Sequence, residues 1–82
     1  MVLKRLVSSE KGVRELENNI LLFVVEKNST KDDIRKEIES KFKVKVYSVK
    51  TFNNLQGEKR AYIKLTKEHS ASDIADKIGG AV

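Results

Sequence analysis

The sequence predicts an α+β fold, a small α/β sandwich in which helices pack on a three- or four-stranded, mostly antiparallel sheet. Two hydrophobic patterns indicate this class. Apolar residues recur at spacing four in the segment 30–41, which is typical of an amphipathic helix. Apolar and polar residues alternate in Lys59–Leu65, which is typical of a strand with one buried face. The predicted order is α-β-α-β-β-α, in a single domain of 82 residues (1–82).

The first predicted helix spans residues 9–17 and ends at Asn18-Asn19. Ser8 or Ser9 supplies its N-cap, and Gly12 lowers its intrinsic stability. The next element, Ile20–Val25, is predicted to be a strand and is apolar at all six positions. That pattern is typical of a central strand covered on both faces, or of one whose second face meets a partner.

The segment 30–41 carries the signals of a complete helix. Thr30 with Asp33 makes a variant of the capping box, in which each side chain satisfies an unpaired backbone N–H at the helix start. Ile34, Ile38 and Phe42 then form one apolar stripe. A helix at this position requires a right-handed crossover if the strands before and after it run parallel in one sheet.

A β-hairpin is predicted next, with strands at 43–51 and Lys59–Leu65 and a turn at 52–57 that is rich in Asn, Gln and Gly. Val49 breaks the alternation of the first strand, which predicts a bulge near Tyr47-Ser48. In the second strand the predicted outward residues are Arg60, Tyr62 and Lys64, and the predicted inward residues are Ala61, Ile63 and Leu65.

The last predicted helix begins at Ser70, with a capping partner at Asp73, and ends at Gly79-Gly80. A fourth strand joins the sheet if a chain terminus pairs with it. The residues of this helix that are predicted to pack inward are Ile74, Ala75 and Ile78.

Composition excludes several classes of protein. The chain has no cysteine, which excludes disulfide scaffolds, thiolate metal sites and cysteine nucleophiles. Its longest apolar run, Ile20–Val25, is far short of the roughly 20 residues that a membrane helix needs. His69 is the only histidine, whereas a catalytic zinc needs several protein ligands. We therefore expect no enzyme activity, metal, cofactor, small-molecule substrate or membrane partner, and a cytoplasmic location.

Positive charge is concentrated in the predicted hairpin. Residues 43–67 contain seven of the 17 Lys and Arg residues but one of the 12 acidic residues, so the segment carries +6. The remainder has ten bases against eleven acids, a net charge of −1, although the whole chain is +5. A polyanion held against a sheet is the simplest partner for such a surface, and RNA is the leading candidate.

The residue types within this segment suit RNA. Tyr62 stands between Arg60 and Lys64, so partners for phosphates flank a stacking platform. The interpretation requires the basic residues to share one exposed plane. The alternative is a solvated sheet face whose lysines discourage edge-to-edge pairing. The predicted RNA-binding residues are Lys43, Lys45, Lys50, Asn53, Asn54, Lys59, Arg60, Tyr62 and Lys64.

Four stretches, taken in order and with their spacing, carry a family resemblance. They are Ser9-Glu10-Lys11, the helix 31–39 leading into Phe42-Lys43-Val44-Lys45-Val46, Val49-Lys50-Thr51, and Gly57-Glu58-Lys59-Arg60-Ala61-Tyr62. They resemble the large-subunit ribosomal protein L-twenty-three family in its short archaeal form. Lys50 stands where the family usually has Asn, Gly12 stands where Ala is common, and the turn at 52–57 is far shorter than in bacterial members.

The resemblance implies a structural constituent of the large ribosomal subunit that binds large-subunit rRNA near the polypeptide exit tunnel. It implies neighbouring ribosomal proteins as further partners, and docking of nascent-chain factors such as the signal recognition particle or chaperones. Glu10 and Lys11 are the docking residues that it implies. The short turn implies that the chain does not reach deep into the tunnel.

Two other functions remain open on the sequence. The same basic sheet would serve a free RNA-binding regulatory module. An apolar second face on the strand Ile20–Val25 would instead serve a self-associating protein-interaction module.

Overall fold

The computed structural model of the protein describes residues 2–7 and 9–79, and this part of the chain forms four strands and three helices. The strands lie in one sheet in the order β1-β2-β4-β3, and every neighbouring pair is antiparallel. The predicted α+β sandwich is confirmed. The elements are β1 Leu3–Leu6, α1 Glu10–Glu17, β2 Ile20–Val25, α2 Lys31–Phe42, β3 Val46–Asn53, β4 Lys59–Leu65 and α3 Ala71–Gly79.

The fourth strand comes from the N-terminal end of the chain, one of the two sheet sizes that the sequence allowed. Within β1, Leu3 pairs with Val25 and Leu6 pairs with Phe23. β4 lies between β2 and β3, so these two strands run parallel to each other without being neighbours. α2 therefore connects them by crossing over β4.

α2 forms as its sequence predicts. Thr30 is the N-cap, and the two hydrogen bonds of the capping box with Asp33 are both 3.1 Å long. These bonds hold the pKa of the Asp33 carboxyl below its ordinary value. The stripe buries Ile34 and Ile38 completely, and Phe42 packs at its edge.

The main core lies between one face of the sheet and the helices. β2 contributes Leu21, Phe23 and Val25 to it, all almost completely buried. Burial of this kind contributes roughly 25 cal/mol for each Å² of apolar surface removed from water. The other buried members are Leu3, Ile34, Ile38, Ala61, Ile63, Leu65, Ala71 and Ile74.

A second, smaller cluster explains why β2 is apolar at every position. Leu22 and Val24, which point away from the main core, are buried under Val7 and the ring of Tyr62. The strand is thus covered on both faces within the chain. This observation removes the exposed apolar face on which self-association would depend.

α1 comes very close to Val7, in the connection that follows β1. Ser9 occupies the N-cap position without a side-chain bond, and Ser8, the other predicted cap, lies outside the described residues. Gly12 is buried, and a Cβ there would overlap the carbonyl of Val7. Gly12 therefore weakens the helix locally but permits its close approach to the chain after β1.

Asn19 ties the loop between β4 and α3, and the start of α3, to the turn before β2. Its backbone adopts a φ of +62°, and its Oδ1 accepts a hydrogen bond of 2.7 Å from the N–H of Ala71, the first residue of α3. Its Nδ2 donates to the carbonyls of Leu65, Thr66 and His69 at 3.4, 3.2 and 2.9 Å.

The hairpin is shifted along the sequence from its predicted limits. β3 begins at Val46 instead of residue 43 and continues through Phe52 and Asn53, which the sequence assigns to the turn. The predicted bulge is confirmed, because the pairing with β4 shifts register between Val46 and Ser48. α3 begins after Ser70, as predicted, whereas Gly80, part of its predicted end, lies outside the described residues.

Candidate nucleic-acid interface

The face of the β3–β4 hairpin opposite the main core, which we call the open face, carries four of the nine predicted RNA-binding residues, namely Lys50, Arg60, Tyr62 and Lys64. Because side chains alternate along a strand, β4 turns Arg60, Tyr62 and Lys64 away from the buried Ala61, Ile63 and Leu65. The register then sets Phe52, Lys50 and Ser48 of β3 opposite those three outward residues. The predicted arrangement of Tyr62 between two cations is therefore confirmed.

Two aromatic rings meet at the centre of the open face. The centroids of Phe52 and Tyr62 are 5.3 Å apart with their planes tilted by 33°, a favourable diagonal pair across two strands. The Lys11 ammonium extends from α1 and lies 5.9 Å from the Phe52 centroid and 5.6 Å from the Tyr62 centroid. A base that stacks here must displace Lys11, which is then free to meet a phosphate.

Tyr47 is a second aromatic platform, which the predicted set of site residues omits. Tyr47 lies at the bulge in β3 and is 72% exposed, and the Lys64 ammonium lies 5.6 Å from the centroid of its ring. A concavity of about 350 Å³ opens beside it, lined also by Leu65, Thr66 and Lys67. The sequence carries a signal for this position, because the break in apolar–polar alternation at Val49 predicts the bulge beside Tyr47.

An ion-pair network borders the open face. The Glu58 carboxylate forms ion pairs with two arginines: its Oε2 lies 3.1 Å from Arg5 Nη2, and its Oε1 lies 3.5 Å from Arg60 Nη2. A hydrogen bond from the Asn54 amide, followed by the two arginines, holds the pKa of Glu58 below its ordinary value. Glu58 thus stays ionised at neutral pH. Its ion pair holds the Arg60 side chain in place, whereas the ion pairs among residues 2–7 and 9–79 do not include Lys50 or Lys64.

The structure gives Asn54 a role within the turn. Its Oδ1 accepts hydrogen bonds from the N–H groups of Gln56 and Glu58 at 3.0 and 2.9 Å, while its Nδ2 donates to the Glu58 carboxylate at 3.1 Å. This is the local bonding that favours Asn in turns. An RNA contact by Asn54 stays a prediction, and it would have to use groups that already have partners.

The expectation that the basic residues share one plane is wrong for Lys59. Lys59 is two residues from the buried Ala61 and so lies on the same, core side of β4, where its Nζ donates to the Ser29 carbonyl at 2.6 Å. Asn53, its register partner, lies on that side too. Lys43 is the left-handed C-cap of α2, and Lys45 is exposed in the connection before β3. RNA contacts by these four residues stay predictions.

Glu10 and Lys11, the two residues expected to dock protein factors, lie on different surfaces of the molecule. Glu10 is exposed in the first turn of α1 and pairs with Arg14 at 3.2 Å. Lys11, its neighbour, lies over the rings of the open face. Geometry therefore groups Lys11 with the open face, while Glu10 faces solvent with Arg14 and the half-exposed Val13.

In residues 2–7 and 9–79, no group of three or more His, Cys, Asp and Glu residues could hold a metal ion. His69 sits in the loop before α3, where its N–H donates to the Thr66 carbonyl. Among the helices of residues 2–7 and 9–79, none is long and apolar enough to cross a membrane.

Comparison with known proteins agrees with the family resemblance. A family model described as "Ribosomal protein L23" matches residues 1–72. The chain is 46% identical over 80 residues to "Large ribosomal subunit protein uL23" of Pyrobaculum aerophilum, covering 95% of this chain and 98% of the relative. It is 56% identical over 63 residues to the protein of the same name from Methanothermobacter thermautotrophicus, covering 77% and 73% respectively.

Proposed function

The chain belongs to the ribosomal protein L23 family, and from this membership we propose that it binds large-subunit rRNA through its open face. Membership of this family makes the chain a structural protein of the large ribosomal subunit, and the family is not one of enzymes. The observation that carries the proposal is the Phe52–Tyr62 pair set among Lys11, Lys50 and Lys64.

The open face suits the parts of folded RNA that a protein can reach. Lysine ammonium groups neutralise backbone phosphates and release counterions, which supplies most of the sequence-independent affinity. Aromatic rings stack on bases that loops or bulges expose, since the deep groove of an RNA helix is closed to side chains. Lys50 and Lys64 are exposed and adjoin Tyr62, since Lys50 lies directly across from it on β3 and Lys64 lies two residues along β4. They can therefore meet phosphates next to one stacked base.

Replacing Tyr47 by Ala is expected to lower rRNA affinity by about 5- to 150-fold, because stacking of one base contributes roughly 1–3 kcal/mol. The fold should keep its stability to within about 0.5 kcal/mol, since Tyr47 is 72% exposed. Filter binding to a large-subunit rRNA transcript measures the affinity, and thermal unfolding measures the stability.

Tyr47→Phe is the matched control, because it keeps the ring and loses the hydroxyl. It should bind as the unaltered protein does. If Tyr47→Ala also binds normally, Tyr47 does not stack on rRNA in the complex.

Membership of the family also leads us to propose the exit tunnel as the location and nascent-chain factors as docking partners. The position of Glu10 supports a docking role, because this residue is exposed on α1 and its carboxylate pairs with Arg14 away from the open face. The short turn of the hairpin, residues 54–58, supports a place at the rim of the tunnel instead of deep inside it.

Fractionation of ribosomes on sucrose gradients tests the ribosomal role against a free RNA-binding regulator. We expect the protein to migrate with large subunits at low and moderate salt, and crosslinks from α1 to reach other proteins at the tunnel exit. Recovery of the protein only in fractions lighter than the subunit would favour the regulator.

A further inference from the structure

A second basic concavity lies at the end of the sheet. It forms where β1, the connection from β2 to α2, and the turn from β3 to β4 come together, and its volume is about 410 Å³. We call it the sheet-end pocket. Its lining residues are Lys4, Arg5, Val24, Val25, Lys27, Gln56, Gly57, Glu58 and Lys59.

The sheet-end pocket carries an excess of positive charge. Four cations and one carboxylate line it, and that carboxylate, Glu58, already forms ion pairs with Arg5 and Arg60. Within residues 2–7 and 9–79, the ion pairs do not include Lys4 or Lys27. The Lys27 Nζ lies 3.6 Å from the point where a Cβ on Gly57 would stand, so this ammonium packs against the turn. Such a concave cationic site concentrates anions.

The pocket is continuous with the open face. Arg5 and Arg60 share the carboxylate of Glu58, so one ion-pair network reaches from the pocket wall to the residue beside Tyr62. Val24, in the floor of the pocket, also belongs to the small cluster beneath Tyr62. A chain of phosphates that leaves the open face along β4 therefore meets the sheet-end pocket next.

We propose that the sheet-end pocket binds a backbone phosphate of the RNA strand that crosses the open face, with Lys4 and Lys27 as its principal partners. This inference rests on the proposed function. An acidic peptide is the competing occupant of such a pocket, but it would not explain the continuity with a surface of exposed aromatic rings. RNA accounts for both features at once.

The test compares the double variant Lys4→Gln/Lys27→Gln with two others in filter binding to a large-subunit rRNA transcript over a range of KCl concentrations. Lys31→Gln/Lys36→Gln, on the exposed side of α2, is the control of equal charge. Lys50→Gln/Lys64→Gln reports on the open face. We expect the pocket variant to bind about 10- to 100-fold less tightly at 0.1 M salt, with a salt slope smaller by about two, and the α2 control to stay unchanged.

The outcomes separate this inference from the proposed function. If the open-face variant loses affinity and the pocket variant does not, the sheet-end pocket binds no phosphate and the proposed function stands. If neither variant loses affinity, the proposed function fails and the inference with it. Polyglutamate serves as a second probe, standing for an acidic peptide. If the pocket variant binds rRNA normally but no longer binds polyglutamate, the pocket binds a protein partner and not RNA. Lys27→Gln alone repeats the test should the change in β1 disturb the fold.

Discussion

Replacing Lys50 and Lys64 together by Gln is expected to weaken binding to large-subunit rRNA by roughly 10- to 100-fold at 0.1 M salt. Each lysine that meets a phosphate releases a counterion, so losing two should reduce the slope of log affinity against log salt by about two. If the whole protein contacts six to ten phosphates, its own affinity should fall by about 10³–10⁵-fold between 50 and 200 mM salt.

These two lysines are the sharpest test of the open face. Both are exposed, and the register places them around Tyr62. Arg60 is a poorer choice, because its guanidinium is paired with Glu58 and its Nε is buried. A change at Arg60 would disturb the network that joins β1 to the hairpin as well as any RNA contact.

Filter binding over a series of KCl concentrations gives both the affinity and the slope. Lys31→Gln/Lys36→Gln removes the same charge from the exposed side of α2 and should leave both quantities almost unchanged. An equal loss in the two double variants would mean that net charge alone governs binding. No loss in either would contradict the open face as the rRNA-binding surface.

Replacing Asn19 by Ala is expected to lower the free energy of unfolding by about 2–4 kcal/mol. The change removes the acceptor of the Ala71 N–H and the donor to three carbonyls, and partly buried groups left without partners cost roughly 1–3 kcal/mol. It also places a Cβ-bearing residue without a bonding side chain at a φ of +62°, which costs roughly 1–2 kcal/mol. For a domain of this size, that is a large part of the total stability.

Urea unfolding followed by circular dichroism measures the change. Asn19→Gly is the matched control, because it loses the same hydrogen bonds and relieves the backbone conformation. The Gly variant should therefore be more stable than the Ala variant by about 1 kcal/mol. If both unfold within about 0.5 kcal/mol of the unaltered protein, Asn19 does not tie α3 to the sheet.

The two predictions address separate properties of one molecule. Lys50 and Lys64 are exposed, and their replacement should change affinity with little effect on stability. Asn19 lies outside the open face and holds the loop between β4 and α3. Its replacement should change stability first, and rRNA binding only so far as the sheet is lost.

Much of the fold follows from local pattern alone. The capping box at Thr30 and the spacing of Ile34 and Ile38 define α2, because both signals can be read within one or two helical turns of the sequence. The alternation in Lys59–Leu65 gives the limits of β4 and the outward direction of Tyr62 for the same reason. The broken alternation also locates the bulge near Tyr47.

What the sequence by itself determined, then, is the set of elements, the side of β4 that faces outward and the concentration of charge in the hairpin. Only the tertiary structure decided that Lys59 turns toward Ser29, that Lys11 lies over Tyr62, and that Lys4 and Lys27 line one pocket with Gly57. The physical reason is range. Periodicity records which side of its own element a residue occupies, whereas contacts between residues far apart in the chain depend on how strands pair and helices pack.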